Sequence, residues 1–171
     1  MKRLLFLPAL LLLLASAPLS SNRPEAQQDN QRIEELNQYY KKLSKTVQEG
    51  DFEGYSALYH DDAVVIFTTG NNKISVAVSE ALAGWKSGFD KTKAGEQKDN
   101  VEFRFSQRIG NTNTAHETGI FHFTSVDNSG KTQTDILVHF EMLFVKTDGV
   151  WLATMEYQRS NATEAEWAAM K

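Results

Sequence analysis

Apolar positions at Ile33, Leu36, Tyr40, Leu43 and Val47 recur every three or four residues, the stripe of an amphipathic helix, and predict one over residues 31–49. Gly50 is a helix stop, and Asp51 is placed to cap a short second helix carrying Phe52, Tyr55, Leu58 and Tyr59. The β-branched and aromatic run from Ala63 to Thr68 predicts a strand, ended by Gly70, Asn71 and Asn72. A third helix, with Ser79 as its cap, is expected to reach about residue 91. Leu82, Trp85 and Phe89 lie on one side of it, while the small residues Ala81, Gly84 and Gly88 suit close packing against a sheet. Beyond the polar stretch 91–100 the period changes to two, and strands are predicted over 101–109, 115–126, 135–145 and 151–159. Asp148-Gly149 marks a two-residue hairpin, and a short closing helix over 163–170 would be anchored by Trp167. Three helices and one early strand followed by a four-strand meander make an α+β domain, with helices on one face of an antiparallel sheet.

The N-terminus follows a different pattern. Lys2 and Arg3 precede an apolar run from Leu4 to Leu14 broken only by Pro8, and the small residues Ala15, Ser16, Ala17, Ser20 and Ser21 follow. That order predicts a signal peptide over residues 1–21, too short for a span of about 20 apolar residues. The expectation is therefore a secreted or periplasmic protein with no stable membrane association after cleavage. Residues 22–30 read as a flexible polar leader, 31–160 as one domain, and 161–171 as a tail.

Composition narrows the chemistry. The absence of cysteine excludes disulfides, thiol nucleophiles, cysteine zinc sites and a lipid-anchored N-terminus. A net charge of −4 without a basic stripe argues against nucleic acid and anionic lipid. No Gly-rich phosphate loop occurs, and no motif calls for a cofactor or a metal.

Gly50-Asp51-Phe52, Tyr55 and His60-Asp61-Asp62-Ala63 resemble the second-helix signature of NTF2-like, or SnoaL-like, proteins, and Phe140–Ser160 around Asp148-Gly149-Val150-Trp151 is similar to their last hairpin. The resemblance covers about residues 31–160 and implies a cone of curved sheet wrapped around helices, enclosing a small-molecule pocket, usually in a homodimer. The superfamily includes ketosteroid isomerases, cyclases, dehydratases and a kinase hub domain. The isomerase residues carry over poorly. The general-base position holds Phe67 and the tyrosine position Leu43, with Tyr40 one turn away; only the second oxyanion donor has a counterpart, Glu141.

Register arithmetic supplies candidate site residues. A two-residue turn at Asp148-Gly149 places Glu141 opposite Glu156 and His139 opposite Gln158, and a four-residue turn at 127–130 places His116 opposite Glu141. His116, Glu141 and Glu156 would form a row across three strands, sharing a face with His122 and His139. Burial alone would turn the opposite face inward, since it carries Phe121, Phe123, Phe140, Met142, Phe144 and Trp151. The resemblance implies the reverse: Glu141 and Gln158 face the cone, the aromatic face is convex, and a second copy covers it. On that expectation Tyr40, His116, His122, His139, Glu141, Glu156 and Gln158 line a polar pocket, with His116, Glu141 and Glu156 as candidates for general acid–base work. The readings are a small-molecule-binding module, a lyase, isomerase or cyclase using the His-Glu-Glu row, and an oligomerisation domain.

Overall fold

The computed structural model describes residues 25–170, Asn72 excepted. The predicted signal peptide lies outside the described residues. Helix α1 spans Glu25–Glu49, longer than its apolar stripe predicts. Residues 25–30, read from sequence as leader, are helical. A pair at helical spacing ties that extension to the rest of the helix: Arg32 meets Asp29 at 2.9 Å. Leu36, Tyr39, Tyr40, Leu43 and Val47 are its buried stripe.

Gly50 ends α1 at φ 65°, the left-handed conformation that glycine adopts without strain. A Cβ there would lie 2.4 Å from the Lys93 amide nitrogen, so the same glycine lets the end of α3 approach. Asp51 caps α2 (Phe52–Ser56) by accepting from the Gly54 amide at 2.9 Å. Strand β1 (Tyr59–Phe67) starts earlier than predicted, and a short strand β2 (Ile74–Ala77) that the sequence reading missed returns beside it. Helix α3 covers Val78–Lys93, with Ala77 rather than Ser79 at its N-cap. The meander comprises β3 (Gln97–Gly110), β4 (Thr114–Asp127), β5 (Thr132–Thr147) and β6 (Val150–Asn161), and α4 (Glu164–Ala169) closes the chain. The six strands form one curved, open sheet in the order β2-β1-β6-β5-β4-β3, antiparallel except for the β1–β6 pair. The α+β cone expected from the sequence is the observed architecture.

Bulges decide which residues face the helices. One at Ser106 changes the β3–β4 register between Phe105↔Gly119 and Gln107↔Thr118. Another at Thr154 changes β5–β6 between Phe144↔Ala153 and Leu143↔Met155. Each extra residue exchanges the two faces beyond it, on β6 as far as a further register shift at Arg159. Thr147↔Val150 pairs as the turn predicts, but past Thr154 Glu141 lies opposite Tyr157, and Glu156 lies opposite Met142. On β4–β5, His116 pairs with Leu143 instead of Glu141.

The inner face carries Val138, Phe140, Met142 and Phe144 of β5, Phe121 of β4 and Trp151 of β6, all buried against α1 or its neighbours. The convex aromatic face implied by the resemblance is thus corrected. Each large apolar side chain contributes about 1.5–3 kcal/mol when buried, and no polar row could offset several of them. The outer face is covered in part by α4, where Trp167 packs with Ile120 and Leu137. Arg104 donates to the Trp167 and Met170 carbonyls at 2.6 and 3.0 Å and lies over the Trp167 ring.

Candidate functional site

The Thr154 bulge turns Glu156 inward, where it is 8% exposed. Tyr59 of β1 donates to its Oε2 at 2.5 Å, and the Gln158 amide donates to Oε1 at 2.8 Å. The hydroxyls of Tyr59 and Tyr55 lie 3.0 Å apart, so a chain of three oxygen-bearing groups runs from α2 to β6. Burial pushes the Glu156 carboxyl up from its ordinary value of 4.5, against the lowering effect of its two donors. Burial likewise raises Tyr55 and Tyr59, and the nearby Glu156 charge adds to it.

Glu156 lines a small cavity of about 60 Å³ whose other walls are Leu43, Val101, Phe103, Phe121, Phe123, Phe140 and Met142. Phe121 and Phe123 also line a wider cleft of about 720 Å³ between α3 and the far ends of β3, β4 and β5. Gln158, two residues beyond Glu156 on β6, reaches this cleft too. The two spaces form an inner chamber, apolar apart from one carboxyl, and an outer chamber with mixed walls.

Helix α3 contributes Trp85 and Phe89 to the outer chamber, together with Gly84 and Gly88. The sequence reading assigned these glycines to tight helix–sheet packing. A Cβ on Gly84 would instead meet nothing within 4 Å, and one on Gly88 only the Gln97 side chain at 4.0 Å. Their small size leaves the cleft open. At the rim Ile136 is 41% exposed and lies on the inner-face side of β5 opposite Phe123. Asp99 of β3 accepts from the Thr92 hydroxyl at 2.8 Å and from the Gln97 amide at 3.0 Å.

The seven predicted site residues divide. Glu156 and Gln158 reach the cavities. Tyr40 is core: its hydroxyl donates to Met142 Sδ at 3.7 Å, and its ring packs on Phe103 and Phe105. His116, His122, His139 and Glu141 lie on the outer face, and the row with Glu156 does not assemble. His116 Nε2 is 3.2 Å from Glu141 Oε2, and Arg159 holds the other oxygen of that carboxylate at 3.0 Å. His122 pairs with Asp135 at 2.7 Å, and His139 pairs with Glu166 of α4 at 3.3 Å. Each histidine has its own carboxylate, and among the described residues no group of three or more acids and imidazoles is placed to hold a metal ion. Sequence reasoning missed Tyr55 and Tyr59, read as helical core, and Asp99, read as linker. Their signal would have been hydroxyl and carboxyl groups at otherwise apolar inward positions.

No curated protein sequence matches this chain. A conserved protein from Planctomyces limnophilus superposes with a TM-score of 0.63 at 14% identity, over 78% of this chain and 99% of that one. An NTF-2-like protein of unknown function from Shewanella oneidensis superposes at 0.56 and 17% identity, over 74% and 97%. A ketosteroid isomerase-like protein from Erwinia carotovora atroseptica superposes at 0.57 and 15%, over 78% and 98%. Likeness at such identities shows the fold alone. The sequence model of the SnoaL-like domain family matches residues 36–160, which takes in most of α1, α2, α3, both chambers and the sheet up to the last residue of β6, and this chain therefore belongs to the SnoaL-like domain family of NTF2-like proteins.

Proposed function

We propose that this domain is an exported binding protein that takes a small molecule between α3 and the sheet, with one end of the ligand in the inner chamber beside Glu156. The observation that carries this reading is the pair of glycines on α3. Gly84 and Gly88 each cost roughly 1 kcal/mol of helix stability relative to alanine, and no neighbour requires them to be small. Keeping space over the aromatic walls of the cleft is the reason that remains for them. A site with apolar walls and a few convergent polar groups is the usual form of a small-molecule pocket.

Gly88→Leu tests this. It fills the cleft from a surface position of α3 and leaves the core untouched. Aromatic fragments detected by ligand-observed NMR on the wild type should lose binding by about tenfold or more in the variant. Fragments that bind both proteins equally would place binding elsewhere. Export is tested by mass spectrometry of protein secreted by its native host, with a new N-terminus expected between residues 18 and 25. Such a cut leaves α1 whole.

A second reading, proton transfer at Glu156, is favoured by the Tyr55–Tyr59–Glu156 chain. A buried carboxyl with a raised pKa and a hydroxyl relay can donate and accept protons near neutral pH. It differs from pure binding in one result: Glu156→Gln would then abolish turnover of a bound compound while preserving its affinity.

Homodimerisation belongs to the same proposal, by a surface other than the one the sequence suggested. Phe144 and Trp151 are core. On the outer face Val64, Met155, Leu143, His116 and Ile109 lie side by side across five strands. Val64, Leu143 and Ile109 are 38%, 40% and 50% exposed. A second copy laid on this row would remove apolar surface from water.

A further inference from the structure

We propose that the cleft selects an organic cation, an amine carried on an aromatic or other apolar body. The proposal rests on the binding reading above and names the ligand class for that site.

The first observation is how this protein treats carboxylates elsewhere. Glu117 is 1% exposed and held by Arg108 at 2.7 Å. Glu35 is held by Lys146 at 2.7 Å, and Glu141 by Arg159 at 3.0 Å. Taking a carboxylate out of water is costly unless a cation accompanies it, and these three each have one. The cleft breaks the pattern. Its two chambers are lined by Glu96, Asp99, Asp127 and Glu156 against one basic residue, Lys91. Among the described residues none of these five forms an ion pair. Asp127 is occupied by turn donors, the Ser129 and Lys131 amides and the Ser129 hydroxyl. Asp99 and Glu156 are satisfied only by neutral donors, a threonine, a tyrosine and two glutamines. Neutral donors fix the position of a carboxylate and leave its charge uncompensated. A ligand ammonium is the group that would compensate the Asp99 carboxylate.

The second observation is the wall between them. Val101 and Phe103 follow Asp99 at two-residue spacing on β3 and share its face. Both line the inner chamber, while Asp99 stands at the outer one. Phe121 and Phe123 belong to both chambers, and Trp85 and Phe89 face them from α3. Aromatic faces attract cations and accept flat apolar groups equally well. A cleft lined by one sign of charge focuses its field and raises the local concentration of the opposite sign. An anionic ligand would meet the Asp99 carboxylate, whose charge no cation compensates. A neutral one would gain the apolar contacts and nothing from the charge.

The test uses three probes of one shape: 2-phenylethylamine, 2-phenylethanol and phenylacetate, titrated by calorimetry at pH 7 into the domain from residue 22 onward. The amine should bind about tenfold tighter than the alcohol, and phenylacetate weakest of the three. Asp99→Asn should reduce the amine's advantage over the alcohol severalfold. Lys91→Glu, at an exposed position on the rim, should increase the amine's advantage over the alcohol severalfold. If the alcohol binds as tightly as the amine, or the acid more tightly, the cation proposal is overturned and the binding site stands. If none of the three binds, the binding reading fails and takes the ligand class with it.

Discussion

Glu156 owes its place to a single extra residue. Had β6 continued without the bulge at Thr154, Glu156 would have met Glu141 in solvent and neither would be unusual. Turned inward, it is a carboxyl that burial drives toward its neutral form. Because its folded-state pKa lies above the unfolded value of 4.5, the folded chain holds more protons between the two, and stability falls as pH rises through that window. The loss begins near the unfolded value and is complete above the folded one. Glu156→Gln keeps an acceptor for Tyr59 and removes the charge. The variant should be more stable than wild type at pH 7, by on the order of 1–3 kcal/mol, and the two should converge toward pH 4. Chemical denaturation across that range checks it, and a variant less stable at pH 7 would show that the carboxylate is better compensated than its neighbours suggest.

At the scale of elements, helices and strands were legible because hydrophobic periodicity is a local property. The α1 stripe, the Gly50 stop, the Asp51 cap and the Asp148-Gly149 hairpin all lie where the residues place them. What could not be read was register. The bulges at Ser106 and Thr154 carry no glycine or proline to announce them, and each inverts the face of the residues beyond it. The bulge at Thr154 separates Glu156 from Glu141, which stays on the outer face 3.2 Å from His116, and the bulge at Ser106 brings Arg108 inward to Glu117. Helix α3 shows a second limit. Periodicity cannot tell a glycine that permits contact from one that preserves a gap. Gly88→Leu separates the two: replacing a helical glycine over open space should raise thermal stability, by roughly 0.5–1 kcal/mol, while blocking the cleft. A destabilised variant would restore the packing role.

Across the whole molecule, the balance between the two sheet faces decides which one becomes the interior. Family resemblance favoured a polar interior, and apolar area favoured an aromatic one; the area prevailed. The outer face was then free to carry His122 and His139 at one end, against α4, and a largely apolar row at the other. Leu143→Asp places a charge in the middle of that row without touching the core. Wild type should sediment as a dimer at micromolar concentration and the variant as a folded monomer. A wild type that is monomeric under those conditions would remove the outer face from the proposal.

The central claim is that the functional site is the interior cleft ending at Glu156, and an amide-resolved NMR titration with 2-phenylethylamine addresses it most directly. The account predicts shifts concentrated at residues 84–89, 97–103, 121–125 and 156–158, with the outer-face amides around His116, Glu141 and His139 unmoved. Shifts centred on those outer positions, with the cleft silent, would contradict it.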